Sequence, residues 1–188
     1  MRIFISGGCK NGKSFFAQRL ALAQRRDKLY YVATMNSTGE EDDRTIARHI
    51  EDRAGWGFTT VEQPSSILHI LENCDSGGSF LLDALTSLML NEMFDENWEI
   101  IPGAGEKTAR ELGELISEIG DIVIVSDYIY GDAERYDELT EIFRRNLAML
   151  DMVAAKMCDT VLEVDYANVT VHKGSLDGIE LSGNEGAI

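Results

Sequence analysis

Gly7-Gly8-Cys9-Lys10-Asn11-Gly12-Lys13-Ser14 decides the fold. The stretch matches GxxxxGK[ST], a phosphate-binding loop. Glycines let the backbone curl so that successive N–H groups point at phosphate oxygens. The Lys13 ammonium is suited to the β- and γ-phosphates of a nucleotide, and the Ser14 hydroxyl to Mg²⁺. The helix that begins here adds its N-terminal dipole to the same anion. Short patterns of this kind recur by chance, but this one lies where the chemistry requires it. An apolar strand, RIFIS (Arg2 to Ser6), precedes it, and a helix over about Lys13 to Arg26 follows, with Phe16, Leu20 and Ala23 as its apolar stripe.

Outward from this loop, apolar runs alternate with helical stretches. LYYVAT (Leu29 to Thr34), FTTVE (Phe58 to Glu62), SFLLDAL (Ser79 to Leu85) and DIVIVSD (Asp121 to Asp127) read as strands. Helices are expected over about Arg44 to Arg53, from Pro64-Ser65-Ser66 through Ile67, Ile70, Leu71 and Cys74, over Thr86 to Phe94, over Glu106 to Ile119, and over Ala133 to Cys158. TVLEV and VTVHK, separated by DYAN, form a C-terminal hairpin. Continuous apolar strands between helices predict a mostly parallel sheet covered on both faces, an α/β fold. No repeat, proline-rich linker or low-complexity run divides residues 1–188, so one domain is expected, with a loose tail from about residue 175.

Length and charge narrow the role. The 188 residues suffice for one α/β domain and are short for two. Seventeen Lys and Arg against 33 Asp and Glu give a net charge of −16, which repels nucleic acid and anionic membranes. Anion binding must therefore occur in a local pocket. No window of 18 uncharged apolar residues is present, and MRIFISGG lacks the features of a secretory signal. Cys9, Cys74 and Cys158 are odd in number and far apart, which argues against zinc and against a disulfide framework. A reduced, cytoplasmic protein is expected.

A phosphate-binding loop needs a second acidic group for its metal. Asp83, closing FLLDAL, is the better candidate; Asp127, closing DIVIVSD, competes with it. As an alternative, Asp83 caps the following helix. In the stretch Arg44 to Trp56, His49 and Arg53 share a helical face beside an apolar stripe of Ile46, Ile50 and Ala54. Neutral imidazole is a competent nucleophile at cytosolic pH, and arginine would stabilise its phosphorylated product. Taken alone, a half-buried structural histidine explains the same residues. His69 and His172 read as structural.

The ensemble resembles one family. GGxxxGKS, YYVAT, the Arg…His…Arg…Trp helix, Glu62, LLDALTSLMLNE and VIVSD are similar in order and spacing to the bifunctional adenosylcobinamide kinase / adenosylcobinamide-phosphate guanylyltransferases of cobalamin biosynthesis. The similarity runs from about Ile3 to Val164. It implies a P-loop NTPase fold of the RecA-like kind and a trimer; the acidic charge already argues against a nucleic-acid or membrane partner. It implies phosphorylation of adenosylcobinamide with ATP or GTP, then transfer of GMP from GTP through a guanylylated histidine, with Mg²⁺. By position His49 is that histidine and Lys13 the catalytic lysine. Gly7, Gly8, Cys9, Lys10, Asn11, Gly12, Lys13 and Ser14 hold phosphate. Ala33, Thr34 and Met35, Ile50, Glu51, Asp52 and Arg53, and Glu62 and Asp83 complete the nucleotide site. Ser14 and Asp83 serve the metal. Two extra residues separate Trp56 from Glu62.

Two stretches depart from the family pattern. After the strand ending at Asp127 the family usually shows Asn-Glu-apolar-Gly, and this chain has Asp127-Tyr128-Ile129-Tyr130. Asp151 stands where an Asn is expected. Both departures fall on the corrinoid side, so two other readings remain: a small-molecule P-loop kinase without the guanylyl step, and a GTP-binding regulatory protein.

Overall fold

The computed structural model describes residues 1–36, 39, 47, 50, 51, 54–166 and 168–179. Its elements, in chain order, are β1 (Arg2–Gly7), α1 (Lys13–Ala23), β2 (Leu29–Ala33), β3 (Thr59–Glu62), a 3-10 turn (Ile67–His69) running into α2 (Ile70–Asn73), and β4 (Ser79–Asp83). Then come α3 (Leu85–Met93), α4 (Ala104–Glu118), β5 (Asp121–Asp127), α5 (Glu138–Met157), β6 (Thr160–Asp165) and β7 (Asn168–Lys173). The strands form one sheet in the order β3-β2-β4-β5-β1-β6-β7. Every pairing is parallel except β6 with β7, the expected hairpin.

The inner strands β1, β2, β4 and β5 are near-continuous apolar runs because both of their faces are covered, whereas the edge strands β3 and β7 are polar and largely exposed. Successive side chains alternate between faces. Phe4, Val32, Phe80, Leu82, Ile122 and Ile124 enter one core, with Leu88, Leu112, Leu115, Leu147 and Leu150 of the helices α3, α4 and α5. Ile3, Ile5, Leu81, Val123 and Val125 enter the other, under Phe16, Ala17, Leu20 and Ala21 of α1. Each fully buried Leu, Ile or Phe of these layers contributes roughly 1.5–3 kcal/mol.

Several expected elements move. The stripe of α1 is Phe16, Ala17, Leu20 and Ala21, and Ala23, at the last turn, is exposed. The helix expected from Ser66 is a 3-10 turn and a single α-turn: the chain is left-handed at Ser66, whose N–H donates to the buried Glu92 carboxylate, and it is already extended at Cys74. The last helix starts at Glu138, not Ala133. Asp137 caps it by accepting the Thr140 N–H at 3.0 Å, while Asp132 is held by Tyr136 and Arg144 in the preceding loop. The helix expected over Arg44 to Arg53 lies largely outside the described residues. Within it Ile50 and, just after it, Ala54 are exposed, so the pair does not form a buried stripe in this chain. An i, i+4 apolar pair marks a face without saying what covers it.

Candidate nucleotide site

The parallel strands all end on one side of the sheet, and that edge holds the candidate site. Backbone register puts Glu62, Ala33 and Asp83 in one row across β3, β2 and β4, and Gly7 opposite Asp127 across β1 and β5. Open parallel sheets bind ligands at such carboxyl ends.

The loop between β1 and α1 is shaped by its own residues. Gly7 packs so closely on β6 that an added Cβ would lie 2.2 Å from the Val164 carbonyl oxygen. Asn11 straps the loop to the same strand by donating from Nδ2 to Val164 O, and its Oδ1 accepts the Lys13 N–H at 3.2 Å. Lys10 and Gly12 have φ of 57° and 89°, the left-handed conformation that turns amides inward. Cys9 and Lys10 are exposed at the tip. The curl then delivers Lys13 and Ser14 at the first turn of α1.

Lys13 is almost fully buried, and its Nζ has two partners: the Gly8 carbonyl oxygen at 3.0 Å and Asp127 Oδ1 at 2.5 Å. Ser14 Oγ lies 3.4 Å from Asp83 Oδ1. The other Asp83 oxygen accepts from the Tyr31 hydroxyl at 2.8 Å. The two competing acids are thus separated by geometry: Asp83 faces the serine and Asp127 the lysine. Asp83 does not cap α3, whose N-cap is Ala84.

A second layer fixes Asp83. Thr34, fully buried, donates from Oγ1 to Ala84 O and accepts the Ala84 N–H, both at 2.8 Å. Asn91 of α3 donates to the Thr34 carbonyl at 2.8 Å and to that of Pro64 at 3.1 Å. Among the expected nucleotide contacts, Ala33, Thr34 and Met35 therefore continue β2 into this edge, with Met35 partly exposed. Glu62 is exposed at the end of the edge strand β3. Ile50 and Glu51 are exposed. His49, Asp52 and Arg53 lie outside the described residues.

Tyr31 and Asn91 were missed by the sequence reading. Tyr31 sits within a run read as plain core, and its hydroxyl was the available signal, since a buried Tyr O–H usually finds a partner. Among the described residues no group of three or more His, Cys, Asp or Glu could hold a metal. That is compatible with Mg²⁺, which commonly uses one or two protein oxygens together with phosphate and water. Ser14 and Asp83 form a pair of that type.

The sequence matches the model of the family described as cobinamide kinase / cobinamide phosphate guanyltransferase over residues 3–166. The chain belongs to this family. It is 31% identical over 163 residues to the bifunctional adenosylcobalamin biosynthesis protein CobP of Pseudomonas aeruginosa, covering 86% of this chain and 91% of that protein. Among solved structures, a KaiC-like protein from Pyrococcus horikoshii shares 14% identity across 96% of this chain and 82% of its own, at a TM-score of 0.49. The flagellar accessory protein FlaH of Methanocaldococcus jannaschii shares 15% across 93% and 78%, at a TM-score of 0.37. The chain is accordingly an enzyme of cobalamin biosynthesis with a P-loop nucleotide-binding fold, in a family of kinase and guanylyltransferase activity on cobinamide.

Tyr130, in the stretch after β5, and Asp151, on α5, meet in space. The Tyr130 hydroxyl donates to Asp151 Oδ2 of α5 at 2.8 Å. Burial raises the Asp151 carboxyl to about 6; nearby Ser126 and Tyr130 hydroxyls oppose the shift, and the charge of Asp127 adds to it. Burial and the Asp151 carboxylate push the Tyr130 phenol far above its ordinary value. Tyr128 stands half exposed beside this cluster, edge-on to Tyr130 with ring centroids 5.5 Å apart. Of the cysteines, Cys158 is buried, with its thiol pushed up to about 12 chiefly by burial, and Cys74 is partly buried. Among the described residues no helix is long and apolar enough to cross a membrane.

Proposed function

We propose that the chain phosphorylates the aminopropanol hydroxyl of adenosylcobinamide with ATP or GTP, then transfers GMP from GTP to that phosphate through a guanylyl group on His49. The observation that carries the reading is the joint placement of Lys13, Ser14 and Asp83 at one sheet edge in a chain of this family. In the kinase step, the loop amides and Lys13 hold the β- and γ-phosphates and offset the charge on the transferring group. Ser14 and Asp83 hold the nucleotide's Mg²⁺, which supplies further charge neutralisation when bound. Tyr31 keeps the Asp83 carboxylate turned toward Ser14.

In the second step an imidazole nitrogen of His49 attacks the α-phosphorus of GTP, pyrophosphate leaves, and a phosphoramidate forms. The phosphate of adenosylcobinamide phosphate then displaces the imidazole. Arg53, with Ile50, Glu51 and Asp52, flanks the guanylyl group, and the planar guanidinium suits a phosphate. Glu62 lies at the outer end of the same row. The active species is a homotrimer in the cytoplasm.

The test is GTP labelled at the α-phosphate. The full chain takes up a label that is lost in acid, survives base, and is discharged by adenosylcobinamide phosphate. His49→Ala takes up none but retains phosphorylation of adenosylcobinamide. Uptake by the alanine variant equal to that of the parent assigns His49 a structural role and puts the guanylyl group on another residue, and no uptake by the parent leaves a P-loop kinase.

A further inference from the structure

We propose that Asp127 is the general base of the phosphoryl-transfer step, taking the proton from the acceptor hydroxyl. The inference rests on the kinase reading above. Lys13 Nζ and Asp127 Oδ1 are 2.5 Å apart, and an ammonium–phosphate hydrogen bond spans about 2.7–2.9 Å. The Asp127 carboxylate therefore lies within roughly 5 Å of any phosphate oxygen held by the same ammonium. An attacking hydroxyl fits in that gap, within hydrogen-bond reach of the carboxylate and in contact distance of the phosphorus.

The other acids at this edge are less suited. Both Asp83 oxygens are engaged, one by Tyr31 and one by Ser14. Asp151 is mostly buried and accepts from Tyr130. Glu62 sits two strands further along the row from Asp83, at the sheet margin. Asp127 alone among these joins the phosphate lysine to an open side, with a quarter of its side chain exposed. Its backbone is rigidly placed: its N–H donates to Thr86 Oγ1 of α3 at 3.1 Å, and the next N–H, of Tyr128, donates to Gly7 O at 2.8 Å. Among the described residues the charged groups that face it are Lys13 from α1 and Asp151 from α5.

The step balances simply. The acceptor O–H bond breaks and its proton passes to Asp127. The acceptor oxygen bonds to the γ-phosphorus while the bond from that phosphorus to the β-phosphate oxygen breaks, and the nucleoside diphosphate leaves with the electron pair. Asp127 returns the proton to solvent at its exposed edge.

The family's second step supplies an internal control, because its acceptor is a phosphate that is already anionic near neutral pH and needs no base. Full-length parent and Asp127→Asn are compared in two assays: phosphorylation of adenosylcobinamide, and GMP transfer to preformed adenosylcobinamide phosphate. A general base contributes about 10²–10⁴-fold, so the ratio of kinase to transfer rate falls at least about 100-fold, through kcat and not through the nucleotide KM. Asp127→Glu restores part of the kinase rate. Equal loss in both assays overturns the proposal in favour of a role confined to holding Lys13, and an undiminished kinase rate overturns it outright. Thermal melting of each variant separates these outcomes from misfolding. A parent chain that transfers GMP but phosphorylates nothing overturns the kinase reading itself, and the inference with it.

Discussion

Asp83 and Asp127 end adjacent strands, yet their surroundings have opposite characters. On the β4 side, Tyr31, Thr34, Asn91 and Ser14 form a closed set of hydrogen bonds around one carboxylate and the peptide after it. On the β5 side, Asp127 leans on a single ammonium, Tyr128 is half exposed, and Asp151 carries a carboxyl raised by burial. Metal and phosphate handling leave little latitude in ligand position. An acceptor pocket can be rebuilt around the same phosphate, and here Asp127 is followed by the half-exposed Tyr128.

Lys13 meets Asp127 and is next in the chain to Ser14, which meets Asp83, so its loss should reach both regions. Lys13→Ala removes the only buried ammonium described at the loop and leaves Asp127 with an uncompensated charge. Kinase and guanylyl-transfer rates are both expected to drop about 1,000-fold, the upper range for one electrostatic stabiliser. Initial rates on protein with unchanged circular dichroism check this. A folded variant with full activity would show that phosphate is handled elsewhere.

Asp83→Asn should sharpen the contrast with Asp127. The amide still accepts from Tyr31 but loses the charge facing Ser14. Loss of a group supporting a metal site costs about 10–100-fold in metal affinity or activity. Both steps are expected to slow by that amount, with partial recovery at high Mg²⁺. The ratio between them stays near the parent value, whereas Asp127→Asn changes it. A Mg²⁺ titration of each half-reaction measures this, and a shifted ratio would mean that the two carboxylates share one role.

The sheet and its phosphate loop were legible because β1, β2, β4 and β5 are continuous apolar runs and the loop a local pattern. Element starts were less so. Asp132, Tyr136 and Arg144 fix the chain ahead of α5, and no helical periodicity announces such a tertiary cluster. Ile50 and Ala54, expected to be buried, are exposed, and Ala54 lies in a turn. The division of labour between Asp83 and Asp127 was not readable, since Lys13 and Asp127 are 114 positions apart and only the order of β1, β5 and β4 decides which acid meets the lysine. Asp151 was noticed only as a departure from pattern. Its contact with Tyr130 required the packing of α5 against the sheet.

That contact gives the smallest expected effect, on stability. Burial raises the Asp151 carboxyl from 3.8 to about 6, so the folded chain holds this proton more tightly than the unfolded chain. Between pH 4 and 6 the native state therefore binds more protons, and stability falls as pH rises through that window. Above about pH 7 the carboxylate is charged in both states and the penalty is fully present; below about pH 4 both states are protonated and it vanishes. At 1.36 kcal/mol per unit the whole shift corresponds to about 3 kcal/mol, an upper bound for a group not wholly removed from water. Asp151→Asn removes the charge, and its amide oxygen still accepts from Tyr130. The variant is expected to be more stable than the parent by about 1–2 kcal/mol at pH 8 and equal to it near pH 4. Urea unfolding of both proteins at pH 4, 6 and 8 tests the sign as well as the size. A variant less stable than the parent at pH 8 would mean that the Asp151 carboxylate is compensated in the folded chain, and the β5 side would then be as closed as the β4 side.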